Sequence, residues 1–221
     1  MKIKRGKLIG YFQKIKWEIL SRLNPNHYIF SVEKTNDAEF YRNSGQKDFK
    51  RLILEDPALK ESFGGTILEI GCGNGRMTEF LPQVFENIYA VDISLGMIGL
   101  AKKRLTNPKI HLSVCDGDSF KLEAGTVDLV FSYIVFQHFP TRDMVENNLS
   151  EAGRVLKSGG LAKIQFRGRP SSGGKMRFLK WYYGVHFQKS EIEKIAQKAG
   201  LKLVSVLGEG EKEMWCLFRK N

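Results

Sequence analysis

The chain has 221 residues, 42% hydrophobic and 27% charged, with a formal net charge of +11, a length and apolar share that suit one globular domain with a sizeable core. No run of about 18 uninterrupted apolar residues occurs, and the N-terminus lacks the compact apolar core and small-residue cleavage site of a signal peptide. Cys72, Cys115 and Cys216 are odd in number and far apart. They form no C-x-x-C pair for zinc or redox work, so the expectation is a reduced, cytoplasmic protein, soluble or peripheral at a membrane. The charge is uneven: residues 1–22 carry +6, residues 23–65 and 66–166 carry −1 each, and residues 167–221 carry +7. An anionic partner should therefore meet the ends of the chain.

In chain order, the first element is a basic amphipathic helix. Leu8, Phe12, Ile15, Ile19 and Leu23 recur every three or four residues, while Lys4, Arg5, Lys7, Lys14 and Lys16 largely take other faces. Two roles stand for it, a cap docked on the domain or a helix lying on an anionic membrane surface with Trp17 at the interface. The segment Phe40-Tyr41-Arg42-Asn43-Ser44-Gly45 precedes a helix reaching about Lys60. The next segment, Ile67-Leu68-Glu69-Ile70-Gly71-Cys72-Gly73-Asn74-Gly75-Arg76, reads as a buried strand, an acidic residue near its end and a glycine-rich turn. Glycine there lets backbone approach a ligand in dihedrals a side chain would forbid.

From this point strand-like and helix-like segments alternate, the pattern of a mostly parallel sheet with helices on both faces. The predicted strands are Thr66–Gly71, Ile88–Asp92, Ile110–Cys115, Val127–Ser132 and Leu161–Phe166. The predicted helices are Met77–Phe85, Ser94–Leu105 and Asp143–Leu156, the last stopped by Lys157-Ser158-Gly159-Gly160. An amphipathic helix Ser190–Ala199 and two closing strands, Leu201–Leu207 and Met214–Phe218, complete the chain. The expected organisation is a single α/β domain over 1–221, doubly wound, with a helical cap (1–65), a binding core (66–166), an insertion (167–187) and a C-terminal helix with strands (188–221).

The E-x-G-x-G-x-G turn resembles the first motif of the class I S-adenosylmethionine (SAM) dependent methyltransferases of the type 11 or 12 kind. A nicotinamide-binding turn is the rival, but its G-x-G-x-x-G spacing would need glycine where Arg76 stands. The resemblance implies a seven-stranded Rossmann-like sheet with SAM held by Glu69, Gly71, Cys72, Gly73, Gly75 and Arg76. Asp92 follows Gly75 by seventeen residues. In the family this acid accepts from both ribose hydroxyls, work that suits two carboxylate oxygens; helix capping is better served by Ser94. Ile93 and Met97 would sandwich the adenine, although Met97 also reads as core. Asp116, beside Gly117, fits the place of the acid that accepts from the adenine amino group, with Asp118 as rival and a plain loop turn as the bland reading of either. Ser132 ends the fourth strand, where its carbonyl would meet the methionine part. Tyr41 and Arg42 would reach the methionine carboxylate.

His138 is the one titratable residue near this loop with a catalytic reading, a proton acceptor for a hydroxyl nucleophile; the alternative is a hydrogen bond across the loop. No N-P-P-Y, D-P-P-Y or Pro-Cys segment follows the fourth strand, which argues against sequence-specific DNA methylation. The expected acceptor is a small molecule, lipid or glycan. RNA read by the basic flanks is the alternative, and a noncatalytic SAM-binding subunit is a third reading. Residues 167–184 combine five cations and four aromatics with several glycines, either a lid over an acidic acceptor or a solvated basic loop.

Overall fold

A computed structural model describes residues 5–23, 25–26, 37–117, 119–170 and 184–221, with side chains from Tyr11 onward. Seven strands form one sheet in the order β3-β2-β1-β4-β5-β7-β6. They are β1 (Thr66–Ile70), β2 (Asn87–Asp92), β3 (Ile110–Val114), β4 (Val127–Ser132), β5 (Leu156–Phe166), β6 (Leu201–Leu207) and β7 (Met214–Lys220). Strands β1 to β5 pair in parallel, while β7 runs antiparallel to both β5 and β6. A parallel pair needs a crossover and an antiparallel pair needs only a turn. The described α-helices are α1 (Arg5–Leu23), α2 (Ala38–Phe49), α3 (Leu95–Arg104), α4 (Arg142–Val155) and α5 (Lys189–Lys198).

Side chains alternate across the sheet. Leu68 and Ile70 of β1 join Val130, Ala162 and Ile164 under α4 and α5. Ile67, Leu129, Phe131 and Leu161 face the other way, against Phe49, Leu52, Phe80 and Ile98. Fully buried side chains of this size contribute roughly 1.5–3 kcal/mol each, so the two clusters hold the carboxyl ends of β1, β2 and β4 rigidly side by side.

Most element ends agree with the sequence reading to within one or two residues. Three segments differ. The helix expected over Met77–Phe85 is a 3-10 helix, Thr78–Gln83, because Pro82 inside it lacks an N–H and crowds the preceding turn. The glycines at 159 and 160 do not cap a helix; α4 stops at Val155 and β5 starts at once, pairing Leu156 with Val127 before a register shift. Phe40–Gly45 lies inside α2 rather than before a helix. Asp37 caps α2 by accepting from the Phe40 amide at 2.9 Å, and the run to Lys60 is broken into a π turn (Lys50–Leu54) and a 3-10 helix that starts at Pro57.

Helix α1 forms as its periodicity predicts, but it docks on the opposite face from the apolar stripe. Gln13, Leu20 and Ser21 are buried, whereas Tyr11, Phe12, Ile15, Ile19 and Leu23 are exposed. Gly96 permits the close approach: a Cβ there would lie 2.3 Å from Ser21 Oγ. The expectation for the 167–184 loop lies largely outside the described residues. Of its cations, Arg167 is buried, which lowers its pKa, and Arg169 reaches Glu211 at 3.9 Å.

Candidate functional site

The glycine-rich turn leaves β1 with Gly71 at φ +75, Gly73 at φ +57 and Gly75 at φ +85, the left-handed region that disfavours side chains. At Gly71 space forbids one as well, since a Cβ would sit 2.2 Å from Val135 Cγ2. The turn is tied to β2 by the Gly71 and Cys72 amides, both donating to the Val91 carbonyl at 2.8 and 3.0 Å. The Gly73 amide donates to Asp92 Oδ2 at 2.9 Å, and the Ser94 amide to Asp92 Oδ1 at 2.9 Å. One amide per oxygen leaves lone pairs on both for further donors. Burial raises the Asp92 pKa, and the amides of Ser94, Gly73 and Ile93 offset part of that rise.

Glu69 is buried and accepts from Thr78 Oγ1 at 2.6 Å. Burial pushes its carboxyl up to about 7 against the pull of Thr78 and Arg76, and Asp92 adds to the rise. The Arg76 guanidinium, also buried, pairs with Asp48 at 2.8 Å and donates to Ser44 Oγ at 3.2 Å. That ties α2 to the turn, and a Cβ on Gly45 would lie 2.3 Å from the Arg76 carbonyl oxygen. Cys72 and Cys115 are buried thiols, Cys72 raised well above its ordinary pKa and Cys115 to about 11, both chiefly by burial.

The ends of these strands open on one pocket with an inner volume of about 120 Å³ that widens to solvent at its mouth. Glu69, Gly71, Cys72, Gly73, Arg76 and Asp92 line its motif side; Ile93, Met97 and Gly117 line the next wall, and His138 the far end. Five expected residues do not reach it. Gly75 turns to Leu105, 2.4 Å from where its Cβ would be. Asp116 is exposed and accepts from the Ser119 amide at 2.9 Å, the local-turn arrangement; Asp118 lies outside the described residues. Ser132 is fully buried, its hydroxyl donating to the Ile70 carbonyl at 3.0 Å, and Tyr133, Ile134 and Val135 form the wall beyond it. Tyr41 donates to Asn74 Oδ1 at 2.9 Å. Arg42 turns outward to Glu79 at 2.6 Å. Both are held on the outer side of the turn by the helical register of α2.

Several wall residues escaped the sequence reading. Gln13 and Trp17 of α1 cover the pocket at His138: Gln13 Nε2 donates to the His138 carbonyl at 2.7 Å, and the Trp17 ring meets the imidazole edge-on at 5.4 Å. Glu18 fastens α1 to the start of α3, accepting from Ser94 Oγ at 2.9 Å and from the Gly96 amide at 3.0 Å. That amide is the main reason its carboxyl is held below the usual range. Ile134, a β-branched residue, sits at φ +58 with its amide on Gln165 Oε1 at 3.0 Å. A left-handed β-branched residue is a strained one, a state that clusters at functional sites; no sequence signal marks it. Gln165 Nε2 also donates to Gln137 Oε1 at 3.1 Å, which leaves the Gln137 amide nitrogen to face His138 Nε2 at 3.1 Å. This network assigns Nε2 as the acceptor of the neutral ring.

The pocket fits SAM. Asp92 retains acceptor sites for two ribose hydroxyls, the Ile93 and Met97 side chains offer apolar faces for a purine, and Gly117 leaves open the space its Cβ would take, 3.5 Å from Ile93 Cδ1. Glu69, Arg76 and the Gly71–Gly73 backbone offer both charge signs and free approach for an amino-acid end. When bound, SAM supplies an electrophilic sulfonium methyl group.

Residues 68–164 match the model of the methyltransferase domain family. Among curated proteins the chain is 40% identical over 98 residues to malonyl-[acyl-carrier protein] O-methyltransferase of Priestia megaterium, covering 42% of this chain and 35% of that protein. It is 32% identical over 152 residues to methyltransferase cfoB of Aspergillus candidus, covering 62% and 46%. The chain thus spans less than half the length of these two relatives. Among solved structures it superposes on a SAM-dependent methyltransferase from Mesorhizobium loti with a TM-score of 0.61 at 14% identity, covering 72% of this chain and 93% of that one. It also superposes on Haemonchus contortus phosphoethanolamine N-methyltransferase 2 bound to SAM, with a TM-score of 0.57 at 22% identity, covering 75% and 37%. The strand order, the glycine turn and the Asp92 carboxylate agree with the match of residues 68–164 to the methyltransferase domain family and with the fold of these solved structures.

Proposed function

We propose that this chain transfers the SAM methyl group to a small-molecule, lipid or glycan acceptor. The observation that carries this reading is the His138 end of the pocket, lined by Trp17, Val135 and Phe139 beside α1. Methyl transfer is an in-line displacement in which the acceptor atom must be held close and aligned. A pocket end lined mainly by apolar side chains favours a compact acceptor over a folded nucleic acid, which would need an open cationic surface at the mouth. The Priestia megaterium relative's name, an O-methyltransferase acting on a malonyl group, supports oxygen as the accepting atom. With a hydroxyl acceptor, His138 would take the proton on Nε2 only once the substrate hydroxyl has displaced the Gln137 amide that now donates to it at 3.1 Å.

The test is incubation of the purified chain with methyl-labelled SAM and a cell extract, followed by separation into small-molecule, lipid, glycan, protein and RNA fractions. Label confined to the first three supports the reading; label in RNA would replace it. With the acceptor in hand, His138→Ala should lower turnover by about 10²-fold or more and leave SAM affinity nearly unchanged. Full activity of the variant at neutral pH would remove His138 as a base and point to an acceptor that is already ionised.

A further inference from the structure

We propose that α1 is an interfacial helix whose outward face seats on an anionic lipid surface. A helix that merely caps its own domain turns its apolar stripe inward and its charged face to water. Here the apolar stripe faces outward instead. The inward face makes polar contacts, Gln13 to the His138 carbonyl at 2.7 Å and Glu18 to the Gly96 amide at 3.0 Å. The outward face carries Tyr11, Phe12, Ile15, Ile19 and Leu23, with Phe12 61% and Leu23 68% exposed. Single exposed apolar residues are ordinary, but five at helical spacing make a continuous patch that asks for an occupant.

Charge complementarity identifies it. Lys14 and Arg22 are exposed beside the stripe, and residues 1–22 carry a net charge of +6. Lys16 flanks the stripe with its ammonium 5.4 Å from the centre of the Trp17 ring, where burial lowers its pKa to about 8. An apolar stripe bordered by cations is the pattern of a helix lying in the headgroup layer, where lysine and arginine stems reach back to the lipid phosphates. RNA would engage the cations but leave the stripe in water. The inference is independent of which acceptor is methylated. It adds a location for the pocket: α1 contributes Gln13 and Trp17 to the wall from its inward face, so seating α1 holds the pocket behind one helix at the lipid surface.

The test is flotation of the full chain with vesicles of phosphatidylcholine mixed with phosphatidylglycerol, and with phosphatidylcholine alone. The wild type should float with the anionic vesicles only, and less at high salt. The double variant Phe12→Asp/Ile19→Asp, altered at exposed positions, should bind them at least tenfold more weakly, while calorimetry with SAM shows the fold and pocket intact. Neutralising Lys14 and Arg22 should weaken binding by about fivefold per charge. The proposal fails if the wild type does not float, if the double variant floats equally well, or if plain phosphatidylcholine serves as well. It also fails if sedimentation shows a wild-type dimer that the double variant abolishes, since a second copy would then cover the stripe.

Discussion

The pocket wall running from Glu69 to Asp92 and the wall that α1 adds at Gln13 and Trp17 enclose the same space but come from different kinds of sequence. The first is built within 24 residues by two neighbouring parallel strands and the turn between them. Its chemistry is carried by backbone amides and by glycines whose dihedrals admit little else. The second joins residue 13 to residue 138 across 125 positions and is held by a few side-chain hydrogen bonds over a shallow contact. A wall of the first kind is rigid and specific for its ligand; a wall of the second kind can separate at modest cost. On the proposed reading, the first holds the cofactor and the second admits the acceptor.

Four measurements would break or sharpen that contrast. The largest effect should come from Asp48→Ala, which leaves the buried Arg76 guanidinium without its ion-pair partner. Removing one member of a buried pair costs about 3–5 kcal/mol, so urea unfolding should show a loss of that order; a loss under about 1 kcal/mol would mean that α2 does not brace the turn.

Next comes Glu69, whose carboxyl is raised to about 7 in the folded chain. The folded state therefore holds a proton that the unfolded state gives up, and the favourable contribution, complete below about pH 4.5, is lost as pH rises to about 7. The full swing is up to roughly 3 kcal/mol. Glu69→Gln, which can still accept from Thr78, should flatten the stability profile across that window; an unaltered slope would assign the pH dependence elsewhere.

Cofactor affinity should respond to Asp92→Ala by about ten- to a hundredfold, the equivalent of roughly 1.5–3 kcal/mol for charged hydrogen bonds. Calorimetry with SAM measures it, and an unchanged affinity would take Asp92 out of the site. The smallest effect belongs to the α1 wall. Glu18→Gln weakens a partly exposed carboxylate's contacts with Ser94 and Gly96, about 1 kcal/mol after allowance for solvent. Hydrogen exchange of α1 should speed up by about fivefold while β1 and β2 stay protected. Equal acceleration in all three would show that the two walls open together.

Much was legible in advance because it rests on local rules. Alternating apolar runs and short helices marked the strands, Ser94 announced the start of α3, and the three positive-φ glycines marked the turn. Asp92 could be placed because a residue that ends a strand beside that turn has little freedom to be anywhere else. Met77–Phe85 was misread as α-helix because its apolar spacing outweighed Pro82, and β5 was cut short because glycines 159 and 160 suit a helix end as well as a strand irregularity. Asp116, Tyr41 and Arg42 fall near the site in sequence, yet a shift of one or two residues along a strand end or helix turns a side chain to another surface.

The sequence by itself determined the binding core, since a parallel strand, a glycine turn and a following acidic strand end are bound together by backbone hydrogen bonds between near neighbours. The face on which α1 docks was decided only by the tertiary structure. Its periodicity names an apolar stripe but not the surface that stripe meets. The outcome depended on Gly96 giving Ser21 room, on Glu18 finding the amides at the start of α3, and on His138 presenting a carbonyl to Gln13. Those contacts join residues more than seventy positions apart, where no local pattern carries the information.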